Sequence, residues 1–314
     1  MEMRLQDPHG RHIRKLRVQL TDACNFRCFY CMPEGTRFQP SNRLLTPSEI
    51  GDICAALASM GVEEIRVTGG EPTVRPEFDS IMETLGRTGW RKFGLTTNGL
   101  LLPDKLPLLR DIGCRHINVS LDSLHEETFR AITGSPHFRK VHAAILRARA
   151  MGFEVKVNTI VFRGLNDGEL PAFADFSAEH GVEVRFLELM RVGPAIGGHE
   201  GRFMAADEMI ERLGGEEGLE PVASAEDSTS FGFRTRRGGR LGFIASESKP
   251  FCGACSRLRL SATGKLRSCL FSDTGVELRG RDRLDYPEIL REVMALKPTE
   301  RLPRILQPMN QIGG

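Results

Sequence analysis

A chain of 314 residues with 40% hydrophobic content can bury a large core, as one α/β domain or as a domain with an appendage. Its 43 Lys and Arg against 41 Asp and Glu leave a formal net charge of +2. That balance argues against a general DNA, RNA or membrane surface and confines any anion site to a local cluster of arginines. Met1 to Lys15 holds no apolar run of signal-peptide length, and no stretch approaches the roughly 20 apolar residues that span a bilayer, so a soluble, cytoplasmic protein is expected.

From Arg14 to about Leu189 strand and helix patterns alternate. Strand-like runs fall at Leu16 to Thr21, Glu64 to Thr68, Phe93 to Thr97, His116 to Leu121, Val155 to Val161 and Glu183 to Leu189. Helix-like runs lie between them, among them Pro47 to Met60, Pro76 to Arg87, His137 to Met151 and Asp167 to His180. Thr46-Pro47-Ser48-Glu49 reads as a helix start, with threonine at the cap, proline in the first turn and glutamate three residues on. Gly61, Gly152 and Gly181 stand where left-handed caps close helices. Six strand–helix units imply a parallel sheet, short of the eight in a closed barrel. Periodicity leaves open whether that sheet is doubly wound or an incomplete barrel.

Polar residues gather at the C-terminal ends of the strands, where parallel α/β folds place their sites. They include Thr21, Thr68-Gly69-Gly70-Glu71-Pro72, Thr96-Thr97-Asn98-Gly99, Ser120-Leu121-Asp122-Ser123, Asn158 and Glu188-Leu189-Met190. Gly69-Gly70 lets the backbone approach a ligand with no side chain between.

The loop after the first strand carries Cys24, Cys28 and Cys31 in Cys-x3-Cys-x2-Cys spacing. Structural zinc takes a closed set of four Cys or His ligands, and none lies near in sequence to complete this one. A ferredoxin-type cluster takes four cysteines, so three leave one iron open for chemistry.

After Met190 the alternation breaks, and residues 191–250 are rich in glycine and charge, with one helix near Ala205 to Leu213. The Arg234 to Arg240 run reads as a solvated hairpin. A second triad follows at Cys252, Cys255 and Cys269, again without an evident fourth ligand. It suits either a zinc ribbon short of one ligand or a second open cluster. Arg257 and Arg259 alternate with Leu258 and Leu260, so an extended strand turns both arginines to one face, suited to phosphate. Cys54 and Cys114 sit among apolar residues and read as core thiols. Six of eight cysteines in two groups point to metal binding in a reducing compartment.

The first triad with its aromatic before the last cysteine resembles the radical S-adenosylmethionine (SAM) superfamily, and Gly69-Gly70-Glu71-Pro72 matches the motif that receives the amino group of SAM there. That resemblance implies an incomplete (β/α)6 TIM-type barrel over 1–190, with a C-terminal extension over 191–314 carrying the second cluster. Taken with Arg66-Val67-Thr68, Ser120-Leu121-Asp122-Ser123, Gly164-Leu165-Asn166-Asp167, Pro250 to Leu260, Cys269 and the terminal Gly313-Gly314, the chain resembles the GTP 3',8-cyclase family, the molybdenum cofactor biosynthesis proteins A.

The resemblance implies a lyase for the first step of molybdenum cofactor synthesis, in which a 5'-deoxyadenosyl radical takes the 3' hydrogen of GTP and C3' joins C8. Two 4Fe–4S clusters are implied, held by Cys24, Cys28 and Cys31 and by Cys252, Cys255 and Cys269. Tyr30, Gly70, Ser120 and Met190 are implied around SAM, and Arg17, Arg66, Thr97, Lys156, Arg185, Arg257, Leu258 and Arg259 around GTP. Arg17, Arg257, Arg259, Gly313 and Gly314 are the implied catalytic set, the tail reaching the active site. Implied partners are a flavodoxin- or ferredoxin-type electron donor and a downstream cyclic pyranopterin monophosphate synthase, the enzyme itself being a monomer or homodimer. One departure stands out: Arg191 follows Met190 where the family usually has proline. The rival readings are a radical SAM peptide-modifying enzyme with auxiliary clusters, and a zinc-ribbon binding protein on a vestigial barrel.

Overall fold

In the computed structural model, which describes residues 5–313, the alternation of the first half appears as six strands and six crossover helices. The strands are β1 (Lys15–Gln19), β2 (Glu64–Thr68), β3 (Lys92–Thr97), β4 (His116–Ser120), β5 (Glu154–Ile160) and β6 (Glu183–Leu187). The helices are α1 (Pro47–Ser59), α2 (Phe78–Gly86), α3 (Leu102–Asp111), α4 (Glu126–Thr133), α5 (Phe138–Ala150) and α6 (Leu170–His180). Thr46 caps α1 as its sequence requires: the Glu49 amide donates to its hydroxyl at 3.2 Å, and the Thr46 amide donates to the Glu49 carboxylate at 2.7 Å. Loss of such a cap costs about 1 kcal/mol. Gly61, Gly152 and Gly181 all hold the positive φ expected of them.

The second half adds β7 (Leu219–Val222), β8 (Phe231–Thr235), β9 (Arg240–Ile244), β10 (Arg257–Leu260), β11 (Lys265–Arg267) and β12 (Val276–Glu277). All twelve form one sheet in the order β12-β11-β10-β1-β2-β3-β4-β5-β6-β9-β8-β7. β9 runs parallel to β6 and β10 runs parallel to β1, so eight adjacent strands are parallel, where sequence periodicity gave six. The two extra strands escaped because neither enters the sheet through a helical crossover. β9 is the second arm of the β8–β9 hairpin, and β10 follows the second cysteine loop. β9 and β10 do not pair, so the ring stays open between them.

Strand alternation then divides each strand between two environments. Leu16 and Val18 on β1, Ile65 and Val67 on β2, Ile117 and Val119 on β4, and Leu258 and Leu260 on β10 are buried in the main core. Each such aliphatic is worth about 1.5–3 kcal/mol over leaving it exposed. Their neighbours Arg17, Thr68, Asn118, Ser120, Arg257 and Arg259 face a single interior cavity. Side chains of all eight parallel strands reach that cavity, so the sheet is rolled around it.

Candidate active site

The cavity measures about 270 Å³ and has both cysteine triads in its wall. On one side, the loop after β1 brings Cys24, Cys28 and Cys31 against the end of β2. The Gly70 amide donates to the Thr21 carbonyl at 2.7 Å and the Glu71 amide to the Ala23 carbonyl at 2.8 Å. A Cβ on Gly70 would lie 2.4 Å from the Ala23 carbonyl oxygen and 2.5 Å from that of Asp22, so only glycine lets the two loops meet. Glu71 is fully buried and accepts from the Thr73 amide and hydroxyl, the Thr97 hydroxyl at 2.8 Å and the Asn98 amide at 2.6 Å. Asn98 in turn donates to Asn25 Oδ1 at 2.6 Å. The Gly-Gly-Glu run is thereby the buttress of the cysteine loop.

Tyr30 donates its hydroxyl to Asp122 at 2.8 Å, and Asp122 also accepts the Ile160 amide at 2.9 Å. Burial pushes the Asp122 carboxyl up to about 6 against both hydrogen bonds. Burial likewise lifts the first-triad thiols, Cys24 to about 11 and Cys31 to about 12.

Beneath these loops lies a layer of cations. Arg17 on β1 pairs in register with Arg66 on β2 and with Arg259 on β10. Its pKa is driven far down, first by burial and then by repulsion from Arg259, Arg257, Arg66 and Arg185. Arg66 and Arg259 fall to about 10, burial again leading. Glu183 is the counter-charge on the far side, bonded to Lys156 at 2.7 Å and Arg185 at 2.6 Å. Among the described residues no carboxylate pairs with Arg17, Arg66, Arg257 or Arg259. Gly94 makes room for the Arg66 guanidinium, which would lie 3.1 Å from a Cβ there.

The second triad differs electrostatically from the first. Burial would raise the Cys255 thiol, but Arg257 and Lys297 beside it bring it down to about 6. Arg257 Nη2 and Lys297 Nζ each stand 3.3 Å from Cys255 Sγ. No further cysteine and no histidine lines the cavity. Three soft thiolates per triad without a fourth partner fit an iron–sulfur cluster with one open iron better than structural zinc. Among the described residues no three His, Cys, Asp or Glu side chains are drawn up for a single metal ion, whereas a cluster places each thiolate on a different iron.

The C-terminal tail reaches the cavity, with Met309 and Asn310 in its wall. The Met309 amide donates to the Cys31 carbonyl at 3.1 Å, Gln19 to the Asn310 carbonyl at 2.6 Å, and Arg259 to the Gly313 carbonyl at 2.7 Å. Gly314 lies outside the described residues. Arg191 anchors the start of this tail: Glu247 sits between Arg191 and Arg301, and the Arg191 amide donates to it at 3.0 Å. A proline at that position has no amide to give. Val192 bridges Ile305, and the Arg301 guanidinium lies 3.6 Å over the Phe271 ring.

Of the residues singled out from sequence, Arg17, Tyr30, Gly70, Thr97, Ser120, Arg185, Met190, Arg257, Arg259 and all six cysteines of the two triads line the cavity. Arg66, Lys156 and Gly313 do not line it. Leu258 is buried in the core and does not line it either. Sequence reasoning passed over Asn118, Phe271, Arg301 and Asn310. Asn118 stands two residues before Ser120 on one strand face and was open to alternation; the others reach the cavity only through long-range packing.

The sequence pattern described as Radical SAM superfamily matches residues 18–177, and that described as Molybdenum Cofactor Synthesis C matches 182–301. Fold and site therefore define a radical SAM enzyme with a C-terminal molybdenum cofactor synthesis region. A GTP 3',8-cyclase of Synechocystis sp. is 41% identical, over 100% of this chain and 96% of its own. One of Aquifex aeolicus is 39% identical, over 92% and 91%. The crystal structure of Streptococcus suis SuiB bound to S-adenosylmethionine shares the fold, with a TM-score of 0.68 at 15% identity over 91% of this chain and 69% of that one. The chain belongs to the GTP 3',8-cyclase family, radical SAM enzymes of molybdenum cofactor biosynthesis that use SAM and iron–sulfur clusters.

Proposed function

We propose that the protein converts GTP to (8S)-3',8-cyclo-7,8-dihydroguanosine 5'-triphosphate, the first step of molybdenum cofactor synthesis. The observation that carries this reading is one cavity lined by both cysteine triads and by Arg17, Arg257 and Arg259, which have no carboxylate partner among the described residues. Buried cations without counter-ions call for a polyanion, and a triphosphate supplies one. When bound, the first cluster and SAM supply the 5'-deoxyadenosyl radical that takes the 3' hydrogen of GTP, after which C3' joins C8 and one electron and one proton complete the product.

Cys24, Cys28 and Cys31 hold the first cluster, and Tyr30, Gly70, Ser120 and Met190 shape the SAM pocket beside it. Cys252, Cys255 and Cys269 would hold the second cluster in the cavity wall, leaving one iron without a protein ligand. Arg17, Arg185, Arg257 and Arg259 bind the triphosphate from the cavity wall, with Arg66 and Lys156 adding charge and Thr97 and Leu258 completing the nucleotide site. Arg259 also fixes the Gly313 carbonyl, which ties phosphate binding to the position of the Gly313–Gly314 tail. Residues 1–190 thus carry the SAM side together with Arg17, Arg66, Thr97, Lys156 and Arg185 of the nucleotide side, and 191–314 carry the second cysteine triad with Arg257 and Arg259. The enzyme works as a monomer or homodimer. A flavodoxin- or ferredoxin-type donor supplies electrons in the cytoplasm, and a cyclic pyranopterin monophosphate synthase takes the product. Among the described residues no helix is long and apolar enough to cross a membrane.

The test is anaerobic incubation of reconstituted protein with dithionite, SAM and GTP. Equal amounts of 5'-deoxyadenosine and a cyclised nucleotide are expected. Deoxyadenosine with GTP left intact would overturn the substrate assignment, and zinc in place of iron and sulfide would overturn the radical chemistry.

A further inference from the structure

Lys297 is buried to 3% exposure, just beyond the C-terminus of a helix over Tyr286–Ala295, and it lies outside the cavity wall. A buried ammonium is costly unless every donor is taken. Here Nζ donates to the Arg257 carbonyl at 2.7 Å and the Ser268 carbonyl at 2.8 Å, and stands 3.3 Å from Cys255 Sγ. These three partners lie on the three segments that frame the second triad: the Cys255 loop, β10, and the turn one residue before Cys269.

A second cation completes the frame from outside. Arg11, held by Asp7 at 2.6 Å, donates to the Cys252 carbonyl at 2.7 Å, the Pro298 carbonyl at 2.8 Å and the Lys297 carbonyl at 3.1 Å. Each cysteine of the triad is thereby tied to Lys297, directly or through one intermediary. The first triad has no ammonium or guanidinium donating to its sulfurs among the described residues; Asn98 there offers only a neutral amide, at 3.9 Å from Cys24 Sγ.

We propose that Lys297 is a positioning residue for the second cluster: it gathers Cys255, β10 and the Cys269 turn to one point, and its charge biases the cluster held there toward reduction. The inference rests on the reading of Cys252, Cys255 and Cys269 as cluster ligands. One-electron reduction by dithionite adds one negative charge to the cluster–thiolate unit. A cation hydrogen-bonded to a ligating sulfur stabilises that charge, which raises the reduction potential. Lys297 does not line the cavity, and its effect reaches the reaction through the cluster and through Arg257, whose carbonyl it holds; the potential of the cluster reads the first route by itself.

The experiment uses full-length protein with Cys24, Cys28 and Cys31 replaced by alanine, so that only the second site holds iron. Iron and sulfide are counted per chain after anaerobic reconstitution, and the cluster is titrated by electron paramagnetic resonance against dithionite. Lys297→Gln is expected to keep the cluster and lower its midpoint potential by at least a tenfold change in the reduction equilibrium, about 59 mV for one electron. Lys297→Arg, which keeps the charge, is expected to restore the potential. A cluster of full iron content and unchanged potential in Lys297→Gln would overturn the proposal. Should Lys297→Gln lose its iron, Lys297→Arg decides: recovery of both iron and potential supports the role, and recovery of iron at a lowered potential contradicts the charge effect. If the parent with intact Lys297 takes up no iron, the ligand assignment beneath the proposal is what fails.

Discussion

Arg17 and Arg259 are register partners on the neighbouring parallel strands β1 and β10, and neither guanidinium has a carboxylate to pair with among the described residues. Two like charges side by side in a buried layer disfavour the empty protein and favour whatever anion neutralises them. Arg17→Met is therefore expected to weaken GTP binding about 10- to 100-fold, the value of a hydrogen bond to a charged group. The nucleotide-free protein should melt no lower than wild type. Calorimetry with GTP and thermal melts without it check this; a lower melting temperature with unchanged affinity would make Arg17 a structural residue only.

Gly70→Ala places a methyl group against two backbone carbonyls of the first cysteine loop, neither of which can move without moving the loop. Iron after reconstitution should fall to roughly half, since each 4Fe–4S site is filled independently. The surviving half belongs to the second triad. Full iron content in this variant would show that the loop yields.

Burial raises the Asp122 carboxyl from 3.8 to about 6, so the folded chain holds a proton that the unfolded chain has already released. The sign follows: this stabilisation is complete below pH 3.8 and is lost as pH rises through about 6. Its size is on the order of 3 kcal/mol at most. Denaturant melts of cluster-free wild type and Asp122→Asn should show wild type losing stability relative to the variant across that window. A difference independent of pH would contradict the shift.

Arg191 contributes a backbone hydrogen bond and a guanidinium to Glu247, where the carboxylate also meets Arg301. Arg191→Pro removes both and should destabilise the protein by about 1–2 kcal/mol, since Glu247 keeps Arg301 as its partner. The melting temperature should drop while SAM cleavage survives. A rise in melting temperature would mean that the proline geometry outweighs the lost pairing.

The parallel sheet was legible because its strands alternate so regularly, Leu16, Val18, Ile65 and Val67 toward the core and Arg17 and Thr68 toward the cavity, whereas its rolling into a barrel came from the resemblance and not from periodicity. The same alternation exposed Arg257 and Arg259 as one face. β9 was not legible as a parallel strand, since its pairing with β6 depends on chain returning through a hairpin rather than a helix. Arg301, Phe271 and Lys297 were invisible for a related reason. Each joins the site through contacts dozens of residues away, and nothing in its local sequence separates it from a surface residue. Leu258 shows the converse, a motif position whose side chain belongs to the core while its neighbours serve the cavity.

Turnover of reconstituted protein with GTP deuterated at C3' tests the central assignment most directly, read as the mass of the 5'-deoxyadenosine formed. Deuterium in that product is expected from the proposed seating of the triphosphate on Arg17, Arg257 and Arg259, in the cavity that the first triad also lines. Unlabelled deoxyadenosine, with GTP recovered intact, would mean that the cavity between the two cysteine triads serves another substrate.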